Sequence, residues 1–525
     1  MEKSSWSHQL SVTALLESPD GSKHPLDVYE FAEDDKYKDG DFENQFESPQ
    51  TAARLWECLN GCRYRLEQQL ARHQVEQGLK LYRAHKQQAA VTKWRGALKS
   101  LRHFDDKFTL LGYLYQAYID WGKYRDSIYF ANRQLNIAEE LDSPNMRAEA
   151  YLNLARSHER LGALERALAY ARHSLYNECD QCSTSGLVHL TVGRVHMELA
   201  GFCKALEAFQ RAHKIAHSIQ DPSLELQVYV SLSELFCRLQ DAEKSARYAA
   251  RAYDLSRSLQ LGDLNSRHHR AALLQMAAAL RKKGELGDAL DYCSEATRLS
   301  LVSGDQASYA RSIRIMGDIY RKKSEKNKAF RQYESAMGSA AATGDRMCQM
   351  EAMDGAARCL EKLRLQNKIC NCKPLEFNTR LLEVANCVGA KLLVRIVRSR
   401  LSRIYGSLGD EEQKSHHEKI AIATEEDLEL TCGACNMSFG LESDSLEALP
   451  CSHILHARCA NDILKRRDKK KKRICPDCHK SVSSRLYLHY EDQQDLNHSS
   501  LSLSSLSIRA SSLVTLEDCH ATSSV

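Results

Sequence analysis

Proline is scarce in this chain, with eight in 525 residues, and no apolar run reaches eighteen residues. The second absence excludes a membrane-spanning helix, which needs about 20 mostly apolar residues. The first leaves long stretches free of the residue that breaks helices. A strong excess of either charge is also missing. The formal net charge of +4 is close to balance for this length and argues against a general nucleic-acid binder. Residues 1–49 offer no basic start followed by an apolar stretch, so no secretory signal is expected and the compartment should be reducing. Nineteen cysteines then need an explanation other than disulfides. Six of them lie in one short C-terminal segment, and the remaining thirteen are mostly scattered singly through helical sequence, where Cys acts as a small buried hydrophobe. Cys179-x2-Cys182 and Cys370-x-Cys372 have no second pair nearby and read as structural or loop cysteines.

What is present is concentrated near the C-terminus. Cys432-x2-Cys435, Cys451-x-His453-x2-His456-x2-Cys459 and Cys475-x2-Cys478 form an ordered run of thiolate and imidazole donors, with fifteen residues in each of the two long gaps. A C-x-x-C pair can place two sulfurs on one tetrahedral Zn²⁺, and a segment this short needs bound metal to fold. Eight donors fill two closed sites, which are structural and leave no open position for hydrolytic chemistry. The order is similar to the RING-H2 family. In that family the metal pairs interleave, which implies Cys432, Cys435, His456 and Cys459 on one zinc and Cys451, His453, Cys475 and Cys478 on the other.

The first fifty residues hold twelve acids against four bases, few aliphatics and no helical period, as in a flexible acidic arm. From about Ala71, apolar residues recur at helical spacing for some 350 residues. Turn-like elements line up at Gly122, Gly162, Gly201, Gln240, Gly284 and Ser324, with steps of 40, 39 and again 40 residues at Gly122–Gly162, Gly162–Gly201 and Gly284–Ser324. Small residues follow at similar offsets: Ala167, Ala205, Ser245, Ala289 and Ala329, then Ala212, Ala252, Ala296 and Ala336. Small residues at such offsets let two antiparallel helices approach closely, and glycine gives the turn its freedom. These units resemble tetratricopeptide repeats in a long variant. Seven units and one decayed unit are expected.

The predicted fold is all-α: a tetratricopeptide-repeat superhelical solenoid followed by a small RING-H2 zinc domain. The expected divisions are an acidic, mostly disordered extension over 1–70, repeats over 71–345, and a degenerate repeat with a helical segment over 346–427. The zinc domain is expected over 428–482 and a Ser-rich disordered tail over 483–525. A curved stack of hairpins offers an extended concave surface for a peptide or helix.

Two basic features accompany this frame. Arg281-Lys282-Lys283 and Arg321-Lys322-Lys323 lie 40 residues apart, and stacking would bring six positive charges together, either as a ridge for an acidic loop or anionic lipid or as cations complementing helix C-termini. Between the sixth and seventh zinc ligands, Lys465-Arg466-Arg467 and Lys469-Lys470-Lys471-Lys472-Arg473 read as a solvated loop, a site for an acidic partner or inner-leaflet lipid, or a nuclear import patch.

Repeats of this length ending directly in such a zinc module closely resemble the rapsyn family of receptor-clustering scaffolds, over roughly Gln74 to Lys480. Its most specific stretches here are Val75-Glu76-Gln77-Gly78-Leu79-Lys80-Leu81-Tyr82, Ala150-Tyr151-Leu152-Asn153-Leu154-Ala155-Arg156-Ser157 and Leu446-Glu447-Ala448-Leu449-Pro450-Cys451-Ser452-His453-Ile454-Leu455-His456. The resemblance implies peripheral attachment at the cytoplasmic side of the postsynaptic membrane and self-association through the repeats. It also implies binding to a cytoplasmic helix of the acetylcholine receptor, and a link to dystroglycan or the cytoskeleton. Members begin Met-Gly and are myristoylated there; this chain begins Met1-Glu2-Lys3, with no glycine to acylate.

RING modules also serve as ubiquitin-type ligases by holding a conjugating enzyme. The positions matching that contact surface are Ala434, Leu449 with Pro450, and Pro476; Ala434 is smaller than usual, and Pro476 favours docking. Two functions therefore compete: a receptor-clustering scaffold whose RING also ligates, or primarily a ligase whose repeats recruit substrates. A cortical polarity scaffold is a weaker third reading, because those proteins lack a zinc module.

Overall fold

The computed structural model describes residues 50–177, 183–258, 266–366, 369–426, 428–440, 445–465 and 473–486. Within them, eighteen helices pair in chain order into nine antiparallel hairpins. The first four are α1 (Gln50–Arg83) with α2 (Gln87–Ser100), α3 (Phe104–Asp120) with α4 (Tyr124–Glu140), α5 (Pro144–Arg160) with α6 (Leu164–Asn177), and α7 (Ser183–Glu198) with α8 (Phe202–Ile219). Then come α9 (Pro222–Arg238) with α10 (Ala242–Ser258), α11 (Ser266–Lys283) with α12 (Leu286–Ser303), and α13 (Gln306–Lys322) with α14 (Lys326–Thr343). The last two are α15 (Arg346–Leu365) with α16 (Cys372–Val388) and α17 (Lys391–Leu408) with α18 (Glu411–Glu426). A small unit follows, made of β1 (Leu446–Ala448), β2 (Ile454–His456) and α19 (Ala457–Lys465).

The turns explain the period. Inside eight hairpins the connection holds one left-handed residue: His85, Gly122, Gly162, Ala200, Gln240, Gly284, Ser324 and Gly409. The following N–H reaches back over the helix end, as in Lys123 N to Tyr118 O at 2.8 Å and Ala163 N to His158 O at 2.9 Å, and satisfies carbonyls that the helix leaves open. In the fourth hairpin the left-handed position falls on Ala200 rather than on Gly201, whose φ is −86°. The small residues that mark the period, from Ala167 to Ala336, are all fully buried between helices.

Tyr333 of α14 shows how tight this contact is. Its ring is wedged between Gly317 of α13 and Gly355 of α15, and a methyl group added at Gly355 would lie 2.2 Å from the ring. Gly355→Ala is expected to lower stability by about 1–3 kcal/mol through overpacking, although alanine is the better helix former by about 1 kcal/mol. Gly338→Ala on α14, where nothing lies within 4 Å, should stabilise instead. Denaturation midpoints that moved in the same direction for both would contradict the wedge.

The superhelix closes on itself. Gln87 Nε2 donates to Ser303 O at 2.5 Å and Tyr124 OH to Asp345 Oδ2 at 3.3 Å. Gly122 abuts Thr343, Gly162 abuts Val388, and Gly389 abuts Leu199. Early hairpins thus seat on hairpins about 190–225 residues later in the chain.

The interior is lined by the first helix of each hairpin, and it is filled with ion pairs rather than left open. Arg270 pairs with Asp305 at 2.7 Å, and Arg194 grips Glu159 through two hydrogen bonds of 2.9 Å. Arg238 of α9 meets Glu198 of α7, Glu234 of its own helix at 2.9 Å and Glu351 of α15 at 3.7 Å. Arg314 bridges Glu351 at 3.1 Å and Asp318 at 3.2 Å. The concave surface expected to be free for a partner is therefore partly taken up by contacts between inner helices facing each other.

Three expectations are corrected. The repeat region begins before Ala71, because α1 runs from Gln50 and its lower half packs on α2 through Gln68, whose amide donates to Ser100 O at 2.8 Å. The segment 346–427 is two full hairpins rather than a degenerate repeat with a helical segment, apart from residues outside the described set. The six-charge ridge does not form. Arg281 and Arg321 both turn toward Asp318, at 3.9 and 3.6 Å, Lys283 pairs with Glu285 at 2.9 Å, and Lys282 donates to Gln240. Lys322 and Lys323 remain exposed. Burial alone would raise the Asp318 carboxyl, but Arg281, Arg314 and Arg321 outweigh it and hold the group well below the usual carboxylate range.

Candidate metal centre and its seat on the solenoid

Each C-x-x-C pair sits in a tight loop whose fold follows from its sequence. Asn436 N–H donates to Cys432 O at 2.7 Å and His479 N–H to Cys475 O at 3.0 Å. Asn436 and His479, the residues just after each pair, take the left-handed conformation that Asn tolerates well. Single bridges, Thr431 with Ser438 and Ile474 with Ser481, close the two loops. The loops touch where Gly433 faces Asp477, and a side chain at Gly433 would collide with that carboxylate.

The remaining donors come from the hairpin β1–β2 and from α19. The strands are antiparallel with Glu447 opposite Leu455. Cys451 and His453 lie in their connection, His456 ends β2, and Cys459 lies in the first turn of α19. Leu449, Leu455, Ala460, Ile463 and Val482 form a small core between them.

This folding draws the donors into two groups of four. Cys432, Cys435, His456 and Cys459 form one, Cys451, His453, Cys475 and Cys478 the other, with the ligand atoms of each within 4.8 Å of one another. The grouping is the interleaved one. Cys435 Sγ lies 3.3 Å from His456 Nδ1, and His453 Nδ1 is buried with no hydrogen-bond partner. A soft sulfur and imidazole set of four suits zinc in a closed tetrahedral site, so the residues fit a metal ion of that kind.

Of the residues matched to a conjugating-enzyme contact, Ala434 and Pro450 are exposed and Pro476 is half-buried. Leu449 is corrected: it is fully buried in the zinc unit's own core and offers no surface. Of the second basic run, Lys465 ends α19, while Lys469, Lys470, Lys471 and Lys472 lie outside the described residues.

Sequence reasoning missed that this unit is built into the solenoid. Leu428, Leu446, Ala448 and Ile454 belong to the same apolar core as Phe209, Leu232 and Phe236 of the fourth and fifth hairpins. Polar contacts fix the register. Asp241 caps α10 by accepting from Lys244 N–H at 2.8 Å, and its second oxygen accepts from Leu446 N–H at 2.8 Å. Lys244 pairs with Glu447 at 3.1 Å and donates to Leu446 O. Ser452 donates to Gln210 Oε1 at 3.0 Å, and Cys203 N–H donates to Glu429 at 2.7 Å. Burial depresses the Lys244 ammonium, against the pull of Glu447, while burial and then Glu429 push the Cys203 thiol up. The local signal for this seat is slight: Asp241 follows the turn residue Gln240 and reads equally as a simple cap. Leu486 N–H donates to Ala448 O at 2.8 Å, so the zinc unit extends past residue 482.

Residues 66–145 match the family model described as the rapsyn N-terminal myristoylation and linker region. The chain is 31% identical over 417 residues to the 43 kDa receptor-associated protein of the synapse from Tetronarce californica, covering 79% of this chain and 98% of that protein. The protein of the same name from Gallus gallus is 31% identical over 414 residues, covering 78% and 97%. Among solved structures, a Rap protein complexed with competence and sporulation factor aligns with 69% of this chain at 14% identity and a TM-score of 0.46. The chain is thus alike in sequence to two curated relatives over almost the whole of their length, and it belongs to the family of the 43 kDa receptor-associated protein of the synapse, the rapsyn family.

Proposed function

We propose that the protein is a scaffold associated with receptors at the synapse, which binds and clusters acetylcholine receptors through a cytoplasmic helix of the receptor. The kinship over almost the full length of both curated relatives is the observation that carries this reading. In this reading two structural zinc ions hold the C-terminal unit, the repeats self-associate, and the zinc end links to dystroglycan or the cytoskeleton. The location is peripheral, on the cytoplasmic side of the postsynaptic membrane. No described helix is long and apolar enough to cross a membrane. Co-expression with an acetylcholine receptor tests the proposal: surface clusters support it, and diffuse receptor in the presence of folded scaffold refutes it.

A second reading, a RING ubiquitin ligase whose repeats recruit substrates, is favoured by one observation. The zinc unit docks through β1, β2 and Gly440, which faces Gln240, while Ala434 and Pro450 stay exposed. With a conjugating enzyme and ubiquitin, the full chain should modify itself, and Pro476→Ala should reduce the rate by at least about tenfold, the effect of losing roughly 1.4 kcal/mol of docking energy. Absence of modification under every condition removes the ligase reading and leaves the scaffold.

A further inference from the structure

Where α3, α5 and α7 meet, the second, third and fourth hairpins line a half-open cavity of about 350 Å³. It is lined by Tyr113, Gln116, Glu149, Asn153, Arg156 and Thr184, among others. Most of these polar groups are already spoken for. Gln116 donates to Asp120 at 2.8 Å, and Asn153 donates to Gln134 at 2.9 Å. Arg156 stands apart. Around it Arg194 is held by Glu159 and Arg267 by Asp120, whereas the Arg156 guanidinium makes no ion pair of that kind among the described residues and only feels the Tyr115 hydroxyl and Glu159 electrostatically. Half-exposed beside this opening, it offers five N–H donors in a fixed fork that an anion can meet.

We propose that this cavity is a binding site for a carboxylate side chain of a peptide segment from a partner protein, with Arg156 as the anchor. Arg matches a carboxylate with two parallel hydrogen bonds. The size of the cavity lies within the range of small-molecule sites, and its aromatic and amide walls suit a peptide. The charge decides between anions. Glu149 lines the same cavity and Glu159 lies on the next turn of α5, so one cation flanked by acids matches a single negative charge and disfavours a phosphate dianion. Burial, with Arg267 and Arg194 nearby, depresses the Arg156 guanidinium, a strain that an incoming carboxylate relieves. This inference rests on the cavity alone and stands whether or not the receptor reading holds.

The test uses the zinc-loaded full chain and three probes: N-acetylglutamate N-methylamide, its glutamine counterpart and inorganic phosphate, titrated calorimetrically at low salt. The glutamate probe should bind at least about tenfold tighter than the glutamine one, and Arg156→Gln should erase that preference. Arg72→Gln, which removes an exposed pair with Asp106 on the outer rim, should leave it intact. Arg156→Lys keeps the charge without the fork and should retain a weaker preference; it serves as the second variant if Arg156→Gln melts early. Equal binding of the two amides, a preference that survives Arg156→Gln, or tighter binding of phosphate would each overturn the proposal.

Discussion

Stripping the metal from the purified protein with a strong chelator should collapse the C-terminal unit and weaken the solenoid at the same time. Structural zinc contributes apparent binding energies of about 10–16 kcal/mol in small domains, and the zinc unit's own core, a handful of side chains around Leu449 and Ile463, cannot replace that. The wider effect comes from the shared core. Leu428, Leu446, Ala448 and Ile454 cover apolar residues of the fourth and fifth hairpins, and Lys244 loses Glu447 and the Leu446 carbonyl when β1 melts. The expected result is near-complete retention of helical signal at low temperature, proteolytic cleavage within 428–486, and a lower melting temperature for the remaining helices. Zinc returned in excess should restore protection. Elemental content should stand at two ions per chain before treatment; a chelated sample that resists protease as well as the untreated one would refute the metal-dependent fold.

Replacing Arg238 with alanine should be the most damaging single change outside the zinc unit. Its guanidinium faces three carboxylates, Glu198, Glu234 and Glu351, from three helices, and breaking a buried pair from one side typically costs about 3–5 kcal/mol because it leaves charge without a partner. A fall of roughly 5–10 °C in the melting midpoint follows for a unit of this size. The effect has a pH signature. Burial raises the Glu198 carboxyl even with Arg238 beside it, and without that guanidinium it would titrate higher still. A folded-state value above the unfolded one makes stability rise as pH falls through that value, so the variant should regain part of its loss between neutral and mildly acid pH. Adding Glu198→Gln should also recover part of it. An equal loss at both pH values would show that lost packing, rather than stranded charge, is responsible.

The same residues mark how far the sequence could be read. The two groups of four Cys and His residues were legible, because ligand chemistry fixes both residue type and spacing over short range, and the turns at Gly122, Gly162, Gly284 and Ser324 were legible because a left-handed backbone favours few residue types. Arg238, Arg314 and Asp318 gave no such sign. A charged residue on a helix reads as solvated, and its burial depends on a partner helix that arrives more than a hundred residues later, as Glu351 does for Arg238. The basic ridge failed for a more local reason: Arg281 and Arg321 repeat at the right interval, but Asp318 lies between them and draws both inward. Leu449 misled in the opposite sense, since an apolar residue before a zinc ligand fits either a docking surface or a core position, and only the tertiary fold distinguishes them. Arg156 falls within a stretch shared with the family and still gives no hint of function, because the cavity beside it is assembled from three hairpins.

Contacts such as Gln87 with Ser303 and Tyr124 with Asp345 change the mechanics of the array. An open solenoid behaves as a spring, with stability close to a sum over adjacent units and a tendency to unravel from its ends. Coils clamped one upon another resist extension as a block, so a pull applied between the two ends of this rod should meet one large yield point in place of a staircase of small ones.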